Sequence, residues 1–237
     1  NLCLRDEPSQ HIDEEKLVGL LNFLITTLSN HAQRSQFDES DYKCRESLFS
    51  YHCSCGEYKI AAIILAEVDL HSTIHKLEAE EKANLLVRCA ESFLQEEDNT
   101  SAETILSRAR TYMNEVEASL SSVRSRLSSK TQDTAHMSKS SLLQLRYRVT
   151  KAKVDDANRK FVEAARLYYE LSNTSDISIP VHEKLELLGN AVTCAVLGKA
   201  GPQRSRILGV LYKDDRLTNL NHLPKFSSHA SVLTKMY

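Results

Sequence analysis

The residues with the most obvious chemical capacity are His52-Cys53-Ser54-Cys55, three soft-metal donors within four positions. A structural zinc site takes four ligands, usually as two spaced pairs. No second Cys pair exists, and Cys-x-Cys is tighter than the usual spacing. The pattern therefore favours a hairpin turn carrying incidental thiols, with a zinc-stabilised module as the weaker alternative. His71 and His75 stand at i and i+4, but no Glu follows His71 as a metalloprotease helix requires. They read as solvated or capping histidines near a helix start. We therefore assign no metal ligands.

Carboxylates cluster at Glu78, Glu80 and Glu81, and again at Glu96, Glu97 and Asp98. Catalytic carboxylates work as pairs in a cleft with separated pKa values. Nothing in the sequence around these clusters marks a cleft, so they read as solvated helix faces. Arg146, Arg148, Lys151, Lys153, Arg159 and Lys160 form a basic stretch one helix and a turn long. Its two readings are a solvated face and a contact for an acidic partner surface, with Arg146, Arg148, Lys151 and Lys153 as the contact residues. A single-strand nucleic-acid site would add exposed aromatics, and only Tyr147 lies close by. No Ser–His–Asp or Cys–His arrangement is legible. We assign neither catalytic nor cofactor-binding residues, and expect no cofactor.

Composition agrees. The chain has 237 residues, 41% hydrophobic and 26% charged, as in a soluble globular protein. Lys plus Arg is 30 and Asp plus Glu is 32, for a net charge of −2. That balance argues against a general nucleic-acid binder and against charge-driven membrane attachment. The longest apolar run, Ile60 to Ala66, is seven residues, against about 20 for a spanning helix. Six cysteines in a chain of this length fit intracellular usage rather than a disulfide framework. Gly 6 and Pro 4 are too few for a fold built on frequent tight turns, and no glycine-rich phosphate loop occurs.

The elements that must position these residues are helices. Leu17, Leu20 or Leu21, Leu24 and Leu28 follow helical spacing, as do Leu86, Cys89 and Phe93. Leu142, Leu145, Val149 and Ala152 repeat it, then Leu185, Leu188, Val192 and Ala195. Each stripe is expected to be covered by a neighbouring helix. Thr100 to Glu103 has the capping-box form, and Gly201-Pro202 ends one helix and starts the next. Ala61, Ala102 and Ala164 each lie twelve residues after an apolar position (Phe49, Ala90, Ala152), with a polar turn between. Small residues there let antiparallel helices approach closely, so these are three helical hairpins of tetratricopeptide-like type. The Ala-to-Ala steps are 41 and 62 residues; the longer one contains a Ser-rich stretch, residues 119–141, with nine Ser. That stretch reads as a flexible insertion, either a surface loop or a phosphorylation switch.

Three segments carry a family resemblance. Arg159 to Ser172 (RKFVEAARLYYELS) is one, Ala200 to Leu208 with Leu211 to Arg216 is the second, and Ala90 to Leu94 with Ala102-Glu103 is the third. They resemble the PCI proteins, helical scaffolds of the proteasome lid, the signalosome and initiation-factor complexes, and the second segment resembles the signalosome branch. The resemblance covers roughly residues 45 to 237, with the Ser-rich stretch unmatched.

It implies an all-α fold, a right-handed superhelical stack of hairpins leading into a PCI helical bundle. The implied divisions are an N-terminal helical-repeat arm over 1–118, the insertion over 119–141, and the helical part of a PCI domain over 142–237. The chain stops about where the last PCI helices would begin, so the winged-helix part is expected to be absent. The resemblance further implies a non-catalytic scaffold in a hetero-oligomeric assembly. Its partners would be other PCI subunits, metalloprotease-type subunits and a cullin-RING ubiquitin ligase, in nucleus and cytoplasm. The assembly's reaction would be removal of the ubiquitin-like modifier Nedd8 from cullins, by a subunit class with a His-x-His that this sequence lacks. A proteasome-lid or initiation-factor scaffold is the alternative.

Overall fold

A computed structural model describes residues 9–31, 34–72, 76–126, 134–174, 179–220 and 223–236. Among them the chain is all-α, with no strand. In order the helices are α1 (Ser9–Ser29), α2 (Asp38–Ser54), α3 (Tyr58–Ala66), α4 (Ala79–Gln95), α5 (Asn99–Arg126) and α6 (Thr134–Ala157), then α7 (Phe161–Ser172), α8 (Val181–Leu197), α9 (Pro202–Tyr212), α10 (Leu217–Leu220) and α11 (Ser227–Met236). A 3-10 turn, Arg34–Phe37, leads into α2. Consecutive helices pack on one another along the stack, and α11 folds back on α8. No described helix is long and apolar enough to cross a membrane.

Three hairpins, α2/α3, α4/α5 and α6/α7, turn in the same way. One residue in each turn is in the left-handed region: Gly56 (φ 79°), Glu97 (φ 57°) and Arg159 (φ 59°). The next amide reaches back to the carbonyl five residues earlier: Glu57 to His52 at 2.8 Å, Asp98 to Phe93 at 3.0 Å, Lys160 to Asp155 at 2.7 Å. The left-handed residue's own amide bonds the carbonyl three back, on Cys53, Leu94 and Asp156. Together these two bonds form a Schellman C-cap, which satisfies carbonyls the helix end would leave open. Five residues after each left-handed position stand Ala61, Ala102 and Ala164, all fully buried. Each donates its amide one turn back, to Glu57, Asp98 and Lys160. The repeat is thus one of backbone geometry as well as of residue type.

Two of the six glycines make opposite predictions for the same substitution. A β-carbon at Gly56 or at Gly19, inside α1, would meet no atom within 4 Å. At Gly56 alanine must adopt a left-handed conformation, so Gly56→Ala is expected to lose about 1 kcal/mol. In α1 alanine restricts the unfolded chain and suits the helix, so Gly19→Ala is expected to gain about 0.5–1 kcal/mol. Urea midpoints of equal sign would contradict the turn assignment.

Among the described residues the apolar interior forms two clusters. One gathers Leu65, Leu86, Ala90 and Leu106 from α3, α4 and α5; the other gathers Leu171, Leu188, Leu211 and Leu233 from α7 to α11. Helix α6 serves both, giving Leu143, Tyr147 and Val154 to the first and Leu145, Val149 and Ala152 to the second. A helix flanked on both sides shows little net sidedness in sequence.

Two expectations need correction. The leucine stripe of α1 is covered only in part: Leu17, Leu20 and Leu24 are 53%, 54% and 36% exposed, while Leu21 and Leu28 are half-buried. The half-buried face is Val18, Leu21, Ile25 and Leu28, because α1 is apolar on more than one side and α2 covers only one of them. In the Ser-rich stretch, residues 119–126 continue α5 and residues 134–141 open α6, while 127–133 lie outside the described residues. Serine is tolerated there because its hydroxyl bonds back along the helix, Ser119 to the Val116 carbonyl at 2.8 Å and Ser121 to Ala118 at 2.8 Å.

Candidate functional site

The candidate metal donors sit at the end of the first hairpin, and the helix turn sends them apart. His52 is buried in the last turn of α2, where its Nδ1 meets Glu57 Oε2 at 2.7 Å and its ring meets Tyr51 edge-on. Cys53 is half-buried towards α4, its thiol raised by burial and lowered by a hydrogen bond with Ser92. Cys55 is exposed at the C-cap. Among the described residues no group of three or more His, Cys, Asp or Glu is placed to hold a metal ion. His71 is exposed, its amide bonded to Asp69 Oδ1 at 2.9 Å, and His75 lies outside the described residues. Burial pushes the Cys89 thiol up to about 12 and raises Cys194 as well, which leaves both poor nucleophiles.

The acidic clusters lie at helix ends. Glu78 and Glu81 form a reciprocal capping box at the start of α4. At α5 the expected Thr100–Glu103 box is not what forms. Asp98 is the cap: its Oδ1 accepts the Ser101 amide at 3.2 Å and the Thr100 hydroxyl at 3.1 Å. These bonds, the Ser101 amide foremost, hold its carboxyl below the usual carboxylate range. The left-handed Glu97 brings the chain into the helix earlier than the sequence pattern indicates. Glu103 is thereby released to accept from Asn158 (2.8 Å) and Lys160 on the third hairpin's turn.

The basic stretch is largely engaged within the chain. Arg146 meets Glu91 at 2.5 Å, Arg148 meets Glu170 at 3.0 Å, and Lys151 meets Asp155 at 3.0 Å. Lys153 is exposed and lines a groove of about 450 Å³ between α6 and α8, with Leu145, Val149 and Glu183. A second groove, about 580 Å³, runs between α7 and α9 over Val162, Tyr169, Ile207 and Val210, with Arg166 and Arg206 at its rim. With the open face of α1, these are surfaces on which the fold could seat a partner.

Two arginines that sequence reasoning did not single out cap helix ends. Arg204 donates to the carbonyls of Ala195 (3.0 Å) and Val196 (2.9 Å), closing α8. Arg216 donates to the Ser172 carbonyl at 2.8 Å and to Asn173 Oδ1 at 2.5 Å, closing α7, and to Asp214 at 2.7 Å. Their distance in sequence from those helix ends hid the role. Removing Arg216 as alanine is expected to cost about 1–3 kcal/mol near neutral pH. The Arg216 hydrogen bond holds Asp214 below the usual carboxylate range. A depressed folded pKa gives stability that is complete above the ordinary value and lost as pH falls through the lowered one. The Arg216→Ala deficit should therefore shrink in acid; urea midpoints over a pH series that show a constant deficit would refute the coupling.

No protein-family model matches the chain. Individual relatives do. The chain is 31% identical over 206 residues, 87% of its length, to COP9 signalosome complex subunit 4 of Emericella nidulans, covering 43% of that protein. To the protein of the same name in Arabidopsis thaliana it is 30% identical over 206 residues, 85% of this chain and 45% of that one. The Caenorhabditis elegans protein of that name is 44% identical over 95 residues, 40% of this chain and 21% of its own length. The chain thus spans less than half the length of the curated relatives it matches. Over more than four fifths of its length, then, this chain, all-helical among the described residues, is a homologue of proteins named COP9 signalosome complex subunit 4.

Proposed function

We propose that the chain is a non-catalytic scaffold part of a signalosome subunit, supporting removal of Nedd8 from cullin-RING ligases by holding and sensing the ligase. The observation that carries this reading is similarity to the subunit 4 proteins along more than four fifths of the chain. The helical stack fits it: hairpins in series make long rigid surfaces suited to partner contact. On this reading residues 1–118 are a repeat arm facing the ligase, and 142–237 are the helical part of a PCI domain that joins other PCI and metalloprotease-type subunits. The complex would work in nucleus and cytoplasm.

Affinity purification of the tagged protein from its own cells tests the assignment. The expected result is co-purification of the other signalosome subunits, with Nedd8-modified cullin rising when the protein is depleted. Recovery of proteasome-lid or initiation-factor subunits instead would move the chain to that branch of scaffolds. Stoichiometric zinc that resists mild chelation would replace both readings with the zinc-stabilised module.

A further inference from the structure

The groove between α6 and α8 joins an open apolar surface to polar groups that nothing else in the chain engages. Tyr168 and Ile179 are buried at its base, while Leu145, Val149 and Leu187 are half-buried along it. Lys153 borders it on α6, and His182, Glu183, Glu186 and Asn190 border it on α8. Among the described residues none of these five side chains has a hydrogen bond or ion pair within the chain. Their neighbours differ. On α6 itself Arg146, Arg148 and Lys151 are answered by Glu91, Glu170 and Asp155. At the α7/α9 groove Glu170 meets Arg148 at 3.0 Å and Arg166 at 3.9 Å.

The geometry selects the form of an occupant. Leu145, Val149 and Lys153 follow at one-turn steps along α6, as Glu183, Glu186 and Asn190 do along α8, so each wall is roughly 12 Å long. No strand edge is present among the described residues. An extended peptide on this apolar floor would therefore leave its own amides and carbonyls without partners, whereas a helix satisfies them internally. Two turns of a third helix match the walls, with aliphatic side chains at i, i+3 or i+4, and i+7 against the floor. The charges select its chemistry. Glu183 and Glu186 make the α8 wall acidic, so the occupant must bring Lys or Arg to that side, and Lys153 suits an acid or the carbonyls of the occupant's last turn. The same groove on a second copy does not qualify, since two hollows cannot fill one another.

We propose that the α6/α8 groove is a docking site for an amphipathic helix of another protein. That helix seats aliphatic side chains against Leu145, Val149 and Leu187 and sets a basic residue against Glu183 and Glu186. The proposal goes beyond the assignment to a signalosome subunit and does not rest on it.

Fluorescence anisotropy on the full chain tests this with three labelled alanine-based helices, each about four turns long. All carry leucines at i, i+3 and i+7; the positions flanking that stripe are arginine in the first, glutamine in the second and glutamate in the third. The arginine helix is expected to bind saturably, and the glutamate helix about tenfold more weakly, with the glutamine helix between them. Glu183→Lys combined with Glu186→Lys should reverse that order; both positions are exposed, so the swap leaves the core untouched. Val149→Asp should weaken all three by about tenfold or more, while Val210→Asp, at the α7/α9 groove, should change none by more than about twofold. The charge swap decides the matter even if Val149→Asp misfolds. An order of affinities that ignores the swap, no saturation below about 1 mM, or equal loss with Val210→Asp overturns the proposal. Self-association of the wild-type chain that the swap abolishes would also overturn it, by making a second copy the occupant.

Discussion

Arg45→Ala is expected to be among the most damaging single changes in this chain, costing about 3–5 kcal/mol. Arg45 sits on α2 with its side chain 4% exposed. It donates to Asp41 at 2.8 Å, to the Ile64 carbonyl at 3.0 Å and to Glu67 at 2.8 Å, tying α2 to the end of α3. Asp41 is itself 13% exposed, and its Oδ1 has no hydrogen-bond partner among the described residues. Without the guanidinium, a carboxylate stays buried with nothing to balance it. Glu67 is 62% exposed and can return to water. Arg45→Lys should recover little, since an ammonium is a compact charge and cannot reproduce the forked geometry. Arg45→Met combined with Asp41→Leu should recover most of the loss, because a dry apolar contact replaces the pair. Urea denaturation of the four proteins checks this. A single Arg45→Ala midpoint close to wild type would show that Asp41 is wetter than its burial indicates.

The second large effect is expected at Gly189, within α8. A β-carbon there would lie 2.6 Å from the Cγ and Cδ2 atoms of Phe226. Phe226 is 3% exposed and leads into α11, so the ring cannot move aside without lifting that helix from α8. Gly189→Leu should overpack the junction and cost about 1–3 kcal/mol or more. Phe226→Ala alone should cost about 3–5 kcal/mol by opening a cavity. Together the two changes should cost less than their sum, since the leucine fills what the ring vacates. Thermal melting of the single and double variants gives the coupling, and strict additivity would mean that the two residues are not in contact.

Much of the architecture was legible in the sequence because it rests on signals local to a few turns. The spacing that set Ala61, Ala102 and Ala164 in register reports helix periodicity and a polar turn, both short-range. The left-handed turn positions were only partly legible. Gly56 announces one, but Glu97 and Arg159 adopt the same backbone with side chains that give no such sign. The Asp98 cap followed from that backbone and was missed with it. Charges were the least legible. Arg146, Arg148 and Lys151 look like a surface patch in sequence, yet Glu91 and Glu170, which answer the two arginines, lie 55 and 22 residues away. Arg45 sits in a helix whose sequence, DESDYKCRESLFSYHCS, reads as largely polar. Only the packing of α3 against it reveals that the position is dry.

The acidic character of the surface that meets α6 bears on how such helical hairpins can pair. The surface that α4 and α5 turn towards α6 presents Glu80, Glu91, Glu103 and Glu117. Two such surfaces set face to face would oppose carboxylate with carboxylate and repel. Two copies of the second hairpin could therefore not pair with each other through this surface, whatever the fit of their backbones. Shape makes these units look interchangeable; polarity gives each a fixed place in the queue.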